Sequence, residues 1–197
     1  MRRVIKLGGS LLLRKDLAAQ TVAWLARQKP AANWILIGGG STVDALRKLD
    51  QVHHFDQHQL HWKCIELMKV TTSLAREIFP HWQYVASSAD LAKLIVRPDQ
   101  PREMLIDVAA FYGVELNNQL PCTWETTSDA IAAFLAGCIR ADELVLLKSC
   151  EIDPGHSFTD LVASGVVDPV CGQLVANLSA VRVVTLAQSA RLAPIHG

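Results

Sequence analysis

The chain alternates between two hydrophobic periods. Short aliphatic or β-branched runs, apolar throughout instead of at every second residue, occur at 3–7, 34–37, 83–86, 104–108, 144–147 and 181–186. Runs of that kind suit strands buried on both faces of a parallel sheet. Between them, apolar residues recur at helical spacing over 17–27, 42–49, 57–79, 129–138 and 172–178. Strands alternating with helices predict an α/β protein in which helices cover a largely parallel sheet. The Pro-containing stretch 97–102 reads as the clearest loop.

The longest helix candidate carries its own start and stop. Asp56 is placed to cap it, with Gln59 three residues on in a capping-box pattern, and Pro80 ends it. Leu60, Cys64, Leu67, Thr71, Leu74 and Ile78 follow at helical spacing and predict one buried stripe. A second helix opens at Thr127-Ser128-Asp129, where Ser128 reads as a capping residue. Its apolar content is small (Ala130, Ala133 and Ala136 beside Ile131 and Phe134), which lets the helix approach a sheet or a ligand closely.

Composition narrows the possibilities. The 197 residues, 50% hydrophobic and 19% charged, fit one domain over 1–197 with a generous core and exclude disorder as the main state. Lys+Arg and Asp+Glu both number 19, so no basic surplus exists to neutralise a nucleic-acid backbone. No apolar run approaches the roughly 20 residues of a membrane span. Arg2 and Arg3 precede an apolar segment, but Lys6, Gly8, Gly9 and Ser10 interrupt it and no small-residue cleavage site follows. The five cysteines share no CxxC spacing and read as reduced thiols of a cytoplasmic protein.

Candidate chemistry concentrates at two glycine clusters, each directly after a predicted strand: Gly8-Gly9-Ser10 and Gly38-Gly39-Gly40-Ser41. Glycine there lets backbone N–H groups come close to a ligand, and a following helix adds its N-terminal dipole. Neither cluster is a Walker A loop or the dinucleotide fingerprint, so a nicotinamide enzyme is disfavoured. With Lys6 just before the first cluster, the chemistry suggested is a phosphoryl group between two glycine loops.

These segments, VIKLGGS at 4–10, IGGGST at 37–42 and TTSDAIAAFLA from 126, resemble in order and spacing the three core motifs of the amino acid kinase family. The likeness runs from residue 1 to about 186. Within the family it is nearest to the small kinases of methanofuran biosynthesis, which phosphorylate aminomethylfuranyl-methyl phosphate, through HWKCIELM at 61–68, TWETTSD at 123–129 and GVVD at 165–168. The resemblance implies a three-layer αβα sandwich around a mainly parallel sheet and an ATP- and Mg²⁺-dependent kinase. The acceptor, a carboxylate or a phosphate, would bind toward the N-terminal half and ATP toward the C-terminal half. Carried over by position, Lys6 and Asp129 are catalytic. Lys6 would stabilise the transferring phosphoryl group, and Asp129 would fix Lys6 through an ion pair. Gly8, Gly9, Ser10, Lys148, Ser149 and Asp168 belong to the nucleotide phosphates. Gly38, Gly39, Gly40, His61, Thr127 and Ser128 belong to the acceptor. The resemblance also implies a homodimer or higher homo-oligomer, with the 57–79 helix as a candidate interface.

The chain departs from the family pattern in two places. Lys148-Ser149-Cys150 stands where Asp and Gly usually follow the strand, and no lysine occurs from 152 to 197, Gln173 standing near the place of a second catalytic lysine. Lys148 is the residue available to supply that charge. A non-catalytic nucleotide- or oxyanion-binding protein on the same fold is therefore the alternative function.

Other features keep two readings. His54, His58 and His61 at i, i+4 and i+7 suit a metal on one helix face, acceptor-pocket lining, or a solvated or dimer-facing surface, and Asp56 as a helix start argues against the metal. Lys63 and Lys69 read as solvated more than as acceptor contacts, and Trp62 and Trp124 as core or interface aromatics more than as stacking groups. Asp168, before Pro169, caps the following turn or meets the nucleotide.

Overall fold

The computed structural model describes residues 1–97, 100–113 and 120–186. Six strands, β1 (Arg2–Leu7), β2 (Ala32–Ile37), β3 (Gln83–Val85), β4 (Arg102–Ile106), β5 (Glu143–Lys148) and β6 (Val181–Thr185), form one sheet in the order β3-β4-β2-β1-β5-β6. Every neighbouring pair is parallel. All six predicted runs are strands, and β1, β2 and β5 are buried almost throughout, as continuous apolar runs require. Arg102, placed in a loop by its neighbouring prolines, instead opens β4; residues 98 and 99 lie outside the described residues.

Seven helices complete the described chain: α1 (Leu17–Ala26), α2 (Gly40–His53), α3 (Gln57–Ile78), α4 (Ser88–Ile95), α5 (Ser128–Cys138), α6 (Phe158–Ala163) and α7 (Pro169–Leu174). They lie on both faces of the sheet, an α/β sandwich. Alternation along each strand divides the core. Val4, Trp34, Leu36, Leu144 and Leu146 face a cluster with α4, α5 and α7, while Ile5, Leu7, Ile35, Ile37, Val145 and Leu147 face α1 and the end of α3.

The long helix starts as its sequence predicts, with the Asp56 carboxylate accepting from the Gln59 amide at 2.9 Å. Its buried stripe is rotated from the expected one. Leu60 and Thr71 are buried, but so are His61, Ile65, Met68, Thr72 and Ala75, whereas Leu74 is 53% exposed. Polar or small residues occupy the buried face because that face meets a cavity and a crowded sheet end, so leucine content alone points to the wrong side.

Strand order also fixes where ligands fit. The chain leaves β1 toward β2 on one side and leaves β5 toward β6 on the other, so the loops after β1 and β5 diverge. Such a switch point opens a crevice at the carboxyl ends of the strands. Gly8–Ser10 and Ser149 lie there.

Candidate active site

Strand parity assembles the centre. Lys6 pairs in register with Leu146 of β5, so Lys148, two residues further, projects from the adjacent strand to the same face. That face is covered by α5, whose small residues Ala130, Ala132, Ala133 and Ala136 are buried and admit close packing on the sheet. Asp129, in the first turn of α5, meets both lysines there. Lys6 Nζ lies 3.0 Å from Asp129 Oδ1, and Lys148 Nζ donates to Asp129 Oδ2. Lys148 also donates to the Val166 carbonyl oxygen at 2.7 Å.

Lys6 is 7% exposed and Asp129 2%. Burial acts to raise the Asp129 carboxyl, but the two ammonium groups overcome it and hold the group below its ordinary range. Lys148 is pushed down by burial and by the charge of Lys6, against the opposing pull of Asp129. Two ammonium groups share one carboxylate, which leaves about one uncompensated positive charge in a largely desolvated place. An anion is the natural complement.

The glycine loops touch one another beside this cluster. The Gly8 amide donates to the Leu147 carbonyl and the Gly38 amide to the Leu7 carbonyl, each at 2.9 Å, so both turns leave the sheet directly from its ladder. A Cβ on Gly9 would overlap the Gly38 carbonyl and the Gly40 amide. Gly40 adopts φ +52°, a conformation that favours glycine. A Cβ on Gly38 would lie 2.8 Å from Ser128 Oγ and 3.1 Å from both the Gly9 amide nitrogen and Lys6 Cε. Gly9 begins a 3₁₀ turn (Gly9–Leu13) and Gly40 begins α2, so first-turn amides of two elements meet next to Lys6. Ser10 and Ser149 share a hydroxyl hydrogen bond at 2.8 Å that ties the β1 and β5 loops.

A cavity of about 210 Å³ opens on one side of these loops, between α2, α3 and the start of α5. Of the residues expected at the acceptor, Gly39, Gly40, His61, Thr127 and Ser128 line it, and Gly38 stands behind them. None of the residues expected at the nucleotide phosphates does. Thr127, not Ser128, is the N-cap of α5; its hydroxyl accepts from the Asp129 amide at 3.2 Å, which leaves the Ser128 hydroxyl facing Gly38. His61 Nε2 shares a hydrogen bond with the Tyr112 hydroxyl at 2.9 Å, and burial together with nearby His58 pushes its pKa down.

Two expectations are refined. Asp168 is N-cap of α7, as one reading had it, and its buried carboxylate is engaged by protein donors. His54 takes a left-handed conformation that ends α2, so it does not share the helix face of His58 and His61. Among the described residues no group of three His, Cys, Asp or Glu is placed to hold a metal ion. Lys63 and Lys69 are exposed and lie off the cavity.

The cation at the cavity is Arg47, which sequence reasoning passed over. Its guanidinium lies 4.2 Å from the centroid of the Trp124 ring. Trp124 Nε1 donates to Asp50 at 2.7 Å, and Asp50 also accepts from the Phe55 amide at 2.9 Å and Gln57 at 3.1 Å. The indole bond above all holds the Asp50 carboxyl below its usual range. Val43, Arg47 and Asp50 are spaced i, i+4, i+7 on α2, one turn after the glycine loop, and that spacing was the available signal.

A family model described as Amino acid kinase family matches residues 1–151. Among solved structures, uridylate kinase from Archaeoglobus fulgidus is similar at 18% identity and TM-score 0.59, over 95% of this chain and 93% of that one. UMP kinase from Ureaplasma parvum is similar at 13% identity and TM-score 0.61, over 95% and 90%. UMP kinase from Bacillus anthracis is similar at 14% identity and TM-score 0.63, over 94% and 87%. No curated protein sequence matches the chain significantly.

Proposed function

The chain belongs to the amino acid kinase family, and on that premise we propose that it transfers the γ-phosphoryl group of ATP to a small acceptor held in the cavity beside α2 and α3. The observation that carries this reading is the Lys6–Asp129–Lys148 cluster at the junction of the two glycine loops. Phosphoryl transfer needs positioning and charge stabilisation more than a protein nucleophile, and the cluster supplies positive charge in a desolvated place.

In this reading the nucleotide phosphates lie along Gly8, Gly9 and Ser10, with Ser149 opposite. Lys6 and Lys148 face the equatorial oxygens of the transferring group, and Asp129 holds both ammonium groups in place. An acceptor oxygen attacks the γ-phosphorus from the cavity side, where Ser128 and Gly38–Gly40 orient it; the bond to the β-phosphate oxygen breaks and ADP leaves. Both Asp129 oxygens face ammonium groups, so Asp129 is not available as a general base. A carboxylate or phosphate acceptor needs none, because it is ionised at neutral pH. The chemistry of the site therefore favours those acceptors over an alcohol.

Asp129 and Asp168 stand beside the lysine cluster with protein donors on both, so neither of these carboxylates is open to a divalent cation. Mg²⁺ fits as the companion of ATP, held by phosphate oxygens and water. Lys148 supplies from β5 the charge that the family pattern places on a later helix, while Gln173 is exposed on α7. The narrower expectation of an aminomethylfuranyl-methyl phosphate acceptor has motif likeness as its support, whereas the three solved structures named above are uridylate or UMP kinases. Family resemblance also supports a homodimer through α3, whose Val70 and Leu74 are exposed one turn apart. No helix among the described residues is long and apolar enough to cross a membrane.

Calorimetry with MgATP, then a product assay over phosphorylated and carboxylated acceptors that include UMP and aminomethylfuranyl-methyl phosphate, tests the reading. ADP formation matched by one phosphorylated acceptor is the expected result. Tight MgATP binding with transfer to no acceptor would favour the second reading, a non-catalytic nucleotide- or oxyanion-binding protein, which the lack of any lysine after Lys148 supports.

A further inference from the structure

Lys148 and the start of α5, where Asp129 stands, both hydrogen-bond to a segment beyond residues 1–151, the part matched by the family. The Val166 carbonyl accepts one hydrogen bond of Lys148. Two residues later, Asp168 accepts four. Its Oδ2 takes the Thr127 amide at 3.1 Å, the Thr127 hydroxyl at 2.6 Å and the Ala130 amide at 3.0 Å, and its Oδ1 takes the Cys171 amide. One carboxylate thus caps two helices, its own α7 and the spatially adjacent α5, whose second residue is Asp129.

We propose that Asp168 is a positioning residue of the phosphoryl-transfer centre, fixing the start of α5 against the 166–168 turn so that Asp129 and Lys148 meet. For its effect on turnover this rests on the kinase reading; the geometry does not. An N-cap of α7 alone needs one oxygen. Here the residue is 8% exposed and its other oxygen receives three donors, two from Thr127, the N-cap of α5, and one from Ala130 in its first turn. Without it, the Thr127 and Ala130 amides lose their acceptor in a buried place, which α5 relieves by lifting its first turn toward water. That turn carries Asp129. Burial, together with the charge of Asp129 nearby, raises the Asp168 carboxyl, so an acid is kept at this point against its electrostatic interest.

Competitive acylation of the ligand-free protein by acetic anhydride, read residue by residue by mass spectrometry, tests the proposal without requiring activity. In the parent protein Lys6 and Lys148 should react far more slowly than exposed Lys93. In Asp168→Ala their reactivity relative to Lys93 should rise about tenfold, as local opening of α5 would produce. Asp168→Asn, which can keep one acceptor toward α5, should fall between the two. Ser157→Ala, which removes the capping box of α6 on the same segment, should leave both lysines protected. Unchanged protection in a folded Asp168→Ala protein overturns the proposal. If that variant does not fold, Asp168→Asn decides: raised reactivity of Lys6 and Lys148 supports it, and parental protection overturns it. Where the parent transfers phosphate, Asp168→Asn should lower kcat with the KM for MgATP little changed. A parent inactive on every acceptor would refute the kinase reading, while the acylation result still decides the role of Asp168.

Discussion

Lys6 sits between a strand that orients it and a carboxylate that fixes it, with its charge directed at the glycine loops. Lys6→Ala should therefore depress kcat by roughly 100- to 1,000-fold, the usual loss for one preorganised charge-stabilising group, while ATP affinity falls much less. Steady-state kinetics beside calorimetry would separate the two quantities; equal losses in both would count against a transition-state role. Asp129→Asn leaves two buried ammonium groups without a counter-charge and should cost about 3–5 kcal/mol of stability at neutral pH. Asp129 titrates below its ordinary value in the folded protein, so its contribution is complete above the unfolded carboxyl range near 3.8 and is lost as pH falls through the folded value. Denaturant titrations at several pH values should find the two proteins converging only in acid. Lys6 and Asp129 were legible from motifs that place a lysine before glycines and an acid in the first turn of a small-residue helix. Lys148 was named as an available charge, and strand parity through register with Lys6 is what gives it a position. The spacing of Arg47 and Asp50 on α2 could have marked a shared face, but their role there depends on Trp124 arriving from 74 residues beyond Asp50.

At the scale of elements, the six strands could be read because they are buried on both faces and therefore uniformly apolar. Helix α7 was read at 172–178 against an observed Pro169–Leu174, and α4 and α6 were not read at all, since eight and six residues make too few turns to establish a period. Both nonetheless open on Ser-x-x-Asp, with Ser87 and Ser157 capped onto Asp90 and Asp160. The phase of α3 failed for a different reason: a helix that lines a cavity buries His61 and Thr72 and exposes Leu74, against the order of hydrophobicity. The glycine loops offer the sharpest test at this scale. Gly9→Ala sets a methyl against backbone atoms of Gly38 and Gly40, which cannot rotate away, and should cost about 1–3 kcal/mol with a marked loss of MgATP binding. Thermal unfolding and calorimetry on one preparation would measure both. A variant that binds MgATP normally would show that the two loops need not touch.

The whole molecule puts the Lys6–Asp129–Lys148 cluster at the point where the connections from β1 and β5 diverge, and the cavity between α2, α3 and the start of α5. An acceptor and a nucleotide would then approach from opposite sides of the glycine loops. If the protein dimerises through α3, Leu74→Glu should shift it toward monomer in sedimentation, with the cavity unaffected because Leu74 points away from it. The measurement that bears most directly on the account is a crystal structure with a non-hydrolysable ATP analogue and Mg²⁺. The account predicts the γ-phosphate within hydrogen-bond distance of Lys6 Nζ and of the Gly9 amide, with Lys148 on its other side. A nucleotide whose phosphates lie away from Lys6, with the Lys6–Asp129–Lys148 cluster untouched, would contradict it.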